Sequence, residues 1–284
     1  MRNKKVRIEK VINNNIISAR DDKGVELVVM GRGIGFDKKP GNEITDGKIE
    51  KIFRLDKMDD REHFKELLAS LPLEYIRLST DIITYAKDSL ELKLNQNVYL
   101  TLTDHIGFAL NRHREGMDFN NVLYDEIRLF YPVEYSIGRY ALELIEERTG
   151  YRLAEDEAAS IALHIINGEL DSAMGTTFFM IKMMREMMGI IEKNISIPEG
   201  RNYPKDRLIS DLKQLANRLV SEKLISGRRD EKLYLFVEDN YTEEYRIINS
   251  INDYIGKEYK CSMTEEEKIY LTLSIKRIKD IYSN

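Results

Sequence analysis

The sequence predicts a multidomain protein in which a small all-β domain precedes two all-α modules. Its 284 residues exceed what a single core of ordinary size contains and suit two or three domains. Short β-branched segments separated by turn formers fill the first 55 residues, and from there almost to the end apolar residues recur at helical spacing. The helical part also repeats itself once, so we expect one β head followed by two related helical bodies.

Four segments of the head are predicted to be strands, because they are short, rich in β-branched residues and bounded by turn-forming residues. They are residues 6–12, 16–20, 25–30 and 48–55. We expect them to form a four-stranded antiparallel sheet. A lone sheet of about 55 residues is marginally stable. It is therefore expected to pair with a second copy in a symmetric dimer that hides one face.

The head is basic and the rest of the chain is acidic. Residues 1–55 contain 13 Lys and Arg against 8 Asp and Glu, a net charge of +5, whereas the other residues contain 31 against 41, a net charge of −10. A basic surface favours polyanionic partners, because neutralising phosphates releases condensed counterions. The same charge pattern also fits a protein-binding regulator whose head has no nucleic-acid partner.

Helical periodicity begins after the acidic connector DKMDDRE (56–62). Within residues 97–112, five apolar residues fall on one stripe, which predicts an amphipathic helix. Within residues 154–167, acidic residues open the first turn and ASIALHII is apolar nearly all round, as in a helix buried on most sides. The segment GELDSAMGTT (168–177) is typical of a joint, after which the helical pattern resumes.

The helical modules are two copies of one unit. Residues 131–164 align without a gap on residues 241–274, and the matched positions hold identical tyrosine, glutamate, isoleucine and leucine residues. The pairs are Tyr131 and Tyr241, Glu134 and Glu244, Tyr135 and Tyr245, Ile137 and Ile247, Ile145 and Ile255, Glu155 and Glu265, Glu157 and Glu267, and Leu163 and Leu273.

Two histidines distinguish the first copy from the second. His105 in LTDHIGFALNR aligns with Asp211 in LISDLKQLANR, and His164 aligns with Ser274. Histidine is the side chain that titrates near neutral pH. A lone histidine on an apolar stripe is more often a core residue than a functional one. Two of them, at matching points of a repeat whose other copy has neither, indicate a specific use.

A metal site is an alternative use of these side chains, since Asp104, His105 and His164 could supply three ligands. In the metal-dependent helical phosphohydrolases, however, the order is His before Asp, which is reversed here. No further His or Asp stands at a convincing ligand spacing in this module. Nucleophilic catalysis is weaker still, because the chain has no serine elbow and no Cys partner.

The motif GRGIGF (31–36) invites a nucleotide-binding interpretation, because glycines let a phosphate approach backbone amides. The spacing is GxGxG rather than GxGxxG, and no helical pattern follows it, so a dinucleotide site is not expected. A tight turn that projects Arg32 and Phe36 suits RNA better, because RNA is bound through phosphates, loop bases and stacking on aromatics. The asparagines at 13–15 could form a turn or read base edges.

The remaining features point to a cytoplasmic protein without a membrane segment. No apolar run approaches the roughly 18 residues that cross a bilayer, and the basic start MRNKKVRIEK has no signal-peptide pattern. Cys261 is the single cysteine and is predicted to be a half-buried apolar filler. The methionine-rich run 180–191 predicts a core or inter-module face. We expect no cofactor.

The head closely resembles the RNA-binding coantiterminator domain of transcriptional antiterminators of the BglG/LicT type. The resemblance lies in KVINNNIISARDDKGVELVVMGRGIGFDKKPG and the later KIEKIFRL. In that family the head dimerises and binds a hairpin in a nascent messenger, which prevents an overlapping terminator from forming. Carried over by motif position, the resemblance implies RNA contacts by Lys10, Asn13, Asn15, Gly31, Arg32 and Phe36.

The helical part resembles the phosphotransferase-regulation domains of the same family, through LTDHIGFAL, FYPVEY and EDEAASIALHIING. The likeness runs through the whole chain. It implies a coantiterminator domain over residues 1–56 and five-helix regulation domains over residues 63–170 and 171–284.

In that family, proteins of the phosphoenolpyruvate:sugar phosphotransferase system phosphorylate histidines of the helical modules. A sugar permease (enzyme II) acting on the first module holds the protein inactive when its sugar is absent, and the phosphocarrier HPr activates many members through the second. His105 and His164 match the acceptor positions of the first module. Asp104 accompanies His105 as in the family, where its expected role is to orient the imidazole. The resemblance implies a regulator of a sugar operon, not an enzyme.

The second module departs from the family pattern, because Asp211 and Ser274 replace both expected acceptors. A phosphate adds about −1.5 to −2 charges at neutral pH, whereas Asp211 supplies roughly one permanently. We therefore expect the activating input to be either lost or built in. A DNA-binding regulator with the same modules is an alternative function, but it needs a helix-turn-helix head, and the first 55 residues predict strands.

Overall fold

The protein is described by a computed structural model, which covers residues 6–21, 23–44, 48–55, 61–117, 119–197, 203–221 and 231–282. The chain divides into two compact units, Met1–Ser172 and Ala173–Asn284. Most of the predicted acidic connector, residues 56–60, lies outside the described residues, as do the first five residues.

The head is an antiparallel sheet of five strands in the order β4-β1-β2-β3-β5. The strands are β1 (Val6–Asn13), β2 (Ile16–Arg20), β3 (Glu26–Met30), β4 (Glu43–Ile44) and β5 (Lys51–Arg54). The prediction of four strands is corrected by the addition of β4, which pairs with the start of β1. A strand of two residues is too short to show an alternating pattern, so periodicity could not predict it.

Both faces of the sheet are buried, each by a different set of residues. One face forms a small core of its own, made of Ile8, Ile17, Ala19, Leu27, Val29, Ile34 and Ile44. The other face, which includes Val28, Met30 and Phe53, shares the core of the helices that follow. The Phe53 ring lies edge-on to those of Phe64 and Tyr99, with centroids 5.2 and 5.3 Å apart. Since helices of the same chain cover this face, its burial does not require a second copy.

Six helices of the first unit lie in the described residues, one more than the five implied for its regulation domain. They are α1 (Arg61–Ser70), α2 (Leu73–Ser89), α3 (Asn97–Arg114), α4 (Tyr124–Phe130), α5 (Pro132–Thr149) and α6 (Asp156–Leu170). The predicted apolar stripe of α3 is buried, and α6 is buried on most sides as its composition predicted. Helices α5 and α6 approach closely at Gly138, where a Cβ atom would lie 2.0 Å from the Ala158 carbonyl oxygen.

The described helices of the second unit repeat the order of α2 to α6. Its described helices are α7 (Met174–Glu192), α8 (Tyr203–Val220), α9 (Glu231–Asn240), α10 (Thr242–Tyr259) and α11 (Glu265–Tyr282). Helix α8 begins and ends 106 positions after α3, and α10 begins and ends 110 positions after α5, which matches the two offsets of the sequence repeat. The methionines of α7 are largely buried, as a core face requires. Among the described helices, none is long and apolar enough to cross a bilayer.

Candidate functional site

The turn between β1 and β2 is joined to residues 31–36, which we call the glycine loop. The N–H of Gly31 donates to the Asn15 carbonyl oxygen and that of Gly35 to the Asn14 carbonyl oxygen, both at 3.0 Å. The Asn15 side-chain oxygen accepts the N–H of Gly33 at 2.9 Å. These three hydrogen bonds combine two turns, predicted separately from NNN and GRGIGF, into one surface.

Each glycine of the glycine loop is required for a separate physical reason. A Cβ atom on Gly31 would lie 1.8 Å from the Lys48 carbonyl oxygen, and one on Gly35 would lie 2.3 Å from the Asn13 carbonyl oxygen. Gly33 has open space around it but adopts a φ of +64°, which is costly for residues with a Cβ. The GxGxG spacing is therefore the signature of a tight loop and not of a nucleotide cradle.

The predicted RNA contacts gather on this surface. Arg32 is exposed, and the Phe36 side chain is 67% exposed, which is unusual for a large apolar residue. Asn13 is half-buried, with its oxygen accepting the Asn15 N–H at 2.9 Å and its amide donating to the Leu68 carbonyl of α1 at 3.4 Å. Lys10 is exposed on β1, three residues before this turn. Both asparagine side chains thus build the turns.

The two histidines of the first module face each other. His105 in α3 and His164 in α6 have ring centroids 4.8 Å apart. The Nδ1 atom of His164 is buried and has no hydrogen-bond partner among the described residues. Burial of the ring, and secondarily the neighbouring His105, hold the pKa of His164 well below its usual range, so this imidazole is neutral at pH 7.

A buried carboxylate contacts this histidine pair. Glu157 of α6 is 3% exposed, and its Oε2 atom accepts a hydrogen bond from Nε2 of His105 at 3.1 Å. Its Oε1 atom accepts from the Arg112 guanidinium. Asp104 is exposed on α3, so the imidazole contacts Glu157 rather than its chain neighbour. Sequence reasoning did not assign Glu157 a role, although its match to Glu267 in the repeat was visible.

The second module keeps the arginine–glutamate pair and has other side chains at the positions that match His105 and His164. Arg218 makes two hydrogen bonds of 2.6 Å to the carboxylate of Glu267, which reproduces the arginine–glutamate pair of the first module. Where the histidines would stand, the Ser274 hydroxyl donates to Asp211 Oδ2 at 2.6 Å. Arg207 lies 3.3 Å from the other oxygen of Asp211. The charge of Asp211 is thus partly compensated within its own helix.

An open cavity of about 560 Å³ lies over this serine–aspartate pair. Its lining includes Arg207 and Arg277, together with the exposed ring of Tyr270. The Asp211 carboxylate and the Ser274 hydroxyl therefore border an open cavity.

A metal centre receives no support from the described geometry. Over the ranges that the structure describes, no group of three or more His, Cys, Asp and Glu side chains is arranged to hold a metal ion. The set proposed for hydrolysis does not converge, because Asp104 is exposed while His105 and His164 face each other.

The chain matches two families of known protein domains. The CAT RNA binding domain family matches residues 6–62, and the PRD domain family matches residues 80–168 and 185–278. A CAT RNA binding domain followed by two PRD regions defines an RNA-binding regulator of transcription and not an enzyme.

The chain belongs to the BglG/LicT family of transcription antiterminators. It is 41% identical to the transcription antiterminator LicT of Bacillus subtilis, with 96% of this chain and 99% of the relative covered. It is 36% identical to the beta-glucoside operon antiterminator of Dickeya chrysanthemi, with 96% and 97% covered. The crystal structure of GlcT CAT-PRDI matches with a TM-score of 0.52 and 36% identity over 58% of this chain and 98% of that one. Because the head matches an RNA-binding domain family, the alternative of a DNA-binding regulator is wrong.

Proposed function

We propose that this antiterminator binds a hairpin in a nascent messenger as a homodimer, and that phosphorylation of His105 and His164 controls the binding. The observation that carries this proposal is the asymmetry of the repeat. The same arginine–glutamate pair underlies both modules, but the acceptor positions hold paired imidazoles in one and a serine–aspartate hydrogen bond in the other.

The environment of the histidine pair favours a charge switch. A phosphoryl group brings about −1.5 to −2 charges to its imidazole at neutral pH. Here it would arrive beside the carboxylate of Glu157, which is buried and already uses Arg112 for compensation. Repulsion between like charges in a poorly solvated site is strong, so α3 and α6 would be driven apart. Opening of the first module would in turn separate the two heads of a dimer.

One ring nitrogen of His164 is shielded, which restricts the chemistry. Its Nδ1 atom is buried, so transfer of a phosphoryl group to that atom would require the module to open. A neutral imidazole has the free lone pair that attack on a phosphoryl group requires, and the lowered pKa of His164 keeps it neutral at pH 7.

The RNA surface of the proposal consists of the glycine loop, the adjoining turn and Lys10. Exposed Phe36 offers a stacking face and exposed Arg32 a bidentate donor for phosphate or base edges. The basic charge of the head supplies the electrostatic attraction. The domain boundaries 1–56, 63–170 and 171–284 belong to the same proposal, and the break between α6 and α7 supports the last of them.

In this proposal the second module has lost its phosphate acceptors, so the permease acting on the first module is the control. Asp211 and Ser274 satisfy each other, and Arg207 offsets the aspartate charge, which favours a lost input over one built in. HPr would then leave the second module unmodified while the permease reaches the first.

Two measurements on the full chain test the proposal. The first is a gel shift with a hairpin that overlaps a terminator, repeated at raised salt and after treatment with phosphoenolpyruvate, enzyme I, HPr and the permease. The second locates phosphohistidine by mass spectrometry. We expect phosphate on His105 or His164 and a weaker shift after phosphorylation, with H105A and H164A as control variants. Phosphate confined to the second module, or a shift insensitive to phosphate in every case, would contradict the proposal.

A further inference from the structure

Glu50, which precedes β5, contacts both the glycine loop and the first helical module. Its Oε1 atom accepts the backbone N–H of Arg32 at 3.0 Å. The same carboxylate accepts two hydrogen bonds from Arg77 of α2, at 2.9 Å from Nε and 2.5 Å from Nη2. One side chain thus joins the amide of a proposed RNA contact to a helix of the regulatory module.

This arrangement is a bidentate guanidinium–carboxylate pair, the geometry in which arginine binds a carboxylate most strongly. The Arg77 hydrogen bonds are the largest influence that lowers the pKa of Glu50, followed among the lowering influences by the Arg32 amide. Glu50 is therefore ionised under physiological conditions and holds both partners at once.

Helix α2 is in turn fixed to the helix that carries His105. The hydroxyl groups of Ser79 in α2 and Thr103 in α3 lie 2.5 Å apart, and both residues are almost completely buried. Arg77 is two positions from Ser79, and His105 is two positions from Thr103. A displacement of α3 therefore acts on α2 through a buried hydrogen bond, and α2 acts on the glycine loop through Arg77.

We propose that Glu50 is a positioning residue that ties the glycine loop to α2 through Arg77, so that movement of the regulatory helices alters the shape of the RNA-binding surface within one chain. The inference rests on the proposed function, because it takes the glycine loop as the RNA contact. It adds a route of regulation that operates inside each protomer, whether or not the heads of a dimer separate.

The sharpest variant is R77K, which keeps the positive charge but cannot form the two-pronged hydrogen bond. We expect R77K to weaken hairpin binding by about fivefold to tenfold, the lower end of typical couplings between sites, since the pair is partly exposed. Hydrogen–deuterium exchange of the free protein should quicken in residues 31–36, because the Arg32 amide loses a well-held acceptor. E50A should show the same two effects, and the double variant R77K/E50A should add little to either.

The matched control is E26Q, which breaks the ion pair between Glu26 of β3 and Lys65 of α1. That pair also joins the sheet to the helices, with N and O 2.5 Å apart, and Glu26 lies at the opposite end of β3 from the glycine loop. Equal effects of E26Q and R77K would overturn the inference, since the glycine loop would then respond to any weakening of the contact between the sheet and the helices.

A second outcome would overturn the inference and leave the proposed function intact. In that outcome R32A binds the hairpin weakly, whereas R77K changes neither the hydrogen exchange of the glycine loop nor the affinity for the hairpin. A wild-type chain that fails to bind any hairpin would instead overturn the proposed function, and this inference with it.

Discussion

The Nε2 atom of His105 lies 3.1 Å from the carboxylate of Glu157, a side chain with 3% exposure. The same carboxylate is bound by Arg112, whose guanidinium also lies over the rings of Phe108 and Phe119. A single buried charge thus orients the imidazole and depends on one arginine for compensation. This dependence makes the arginine–glutamate pair the structural support of the proposed switch.

Replacement of Arg112 by methionine should destabilise the first unit by about 3 kcal/mol, because it leaves an uncompensated carboxylate in the interior. Urea unfolding followed by circular dichroism measures the loss. The double variant R112M/E157L should regain part of the stability, since no buried charge remains. The control R148M breaks the exposed pair between Arg148 and Asp81 and should cost about 0.5 kcal/mol or less. Equal losses in R112M and R148M would contradict the prediction.

The lowered pKa of His164 predicts a loss of stability in acid. In the unfolded chain this imidazole takes up a proton near pH 6.5, whereas in the folded state it resists protonation until a much lower pH. Between the two values the unfolded state binds more protons, so stability falls as the pH drops below about 6.5, by up to 1.4 kcal/mol per pH unit.

H164Q should remove this part of the pH dependence, because glutamine does not titrate. Urea denaturation at pH 7.5 and pH 5.5 compares the two proteins, with H113Q as a control at an exposed histidine. The prediction would be contradicted if the stability of the wild type changed between these pH values by no more than that of H164Q.

Substitutions at the glycines should rank in the order that their surroundings dictate. G31A should destabilise the head by at least about 2 kcal/mol, because its methyl group would overlap the Lys48 carbonyl oxygen. G33A should cost about 1 kcal/mol, the strain of a left-handed backbone, and G33N less. Thermal unfolding gives the ranking and a gel shift gives its effect on RNA binding. A larger loss of stability in G33A than in G31A would contradict the prediction.

The second module should gain a phosphate acceptor when histidines are placed at positions 211 and 274. The variant D211H/S274H places two imidazoles above the Arg218–Glu267 pair, in a site open through the cavity. With phosphoenolpyruvate, enzyme I and HPr, we expect phosphohistidine at one of the two introduced histidines and none in the second module of the wild type. The variant D211N/S274A, which lacks imidazoles, is the control. A double-histidine module that stays unphosphorylated would show that the docking surface for the donor has also been lost.

Much of this architecture could be predicted from the sequence. The repeat offsets place α8 and α10 to the residue, because a helix keeps its length when its pattern of buried positions is kept. The glycine loop was predicted as a tight turn projecting Arg32 and Phe36, since glycine spacing reports backbone constraints directly. Strand β4 was missed because two residues carry no periodicity.

Three features could be recognised only in the structure. They are the covering of one sheet face by helices and the contacts of Glu157 and Glu50. Phe53 looks the same in sequence whether it meets a second copy or the chain's own helices, because apolar burial is not directional. Glu50 and Arg77 are 27 positions apart, and no local pattern marks a long-range ion pair between half-exposed side chains. Glu157 was visible as a repeated residue but not as the partner of His105.

The matching bounds of the framework helices have a consequence for how such modules diverge. Helices α3 and α5 begin at residues 97 and 132, while α8 and α10 begin at residues 203 and 242, so the second copy has absorbed an insertion of four residues, about one helical turn. The insertion has left both framework pairs unchanged in length. The segment between the two framework helices can therefore change in length by a helical turn while the helices that carry the arginine of each module keep their bounds.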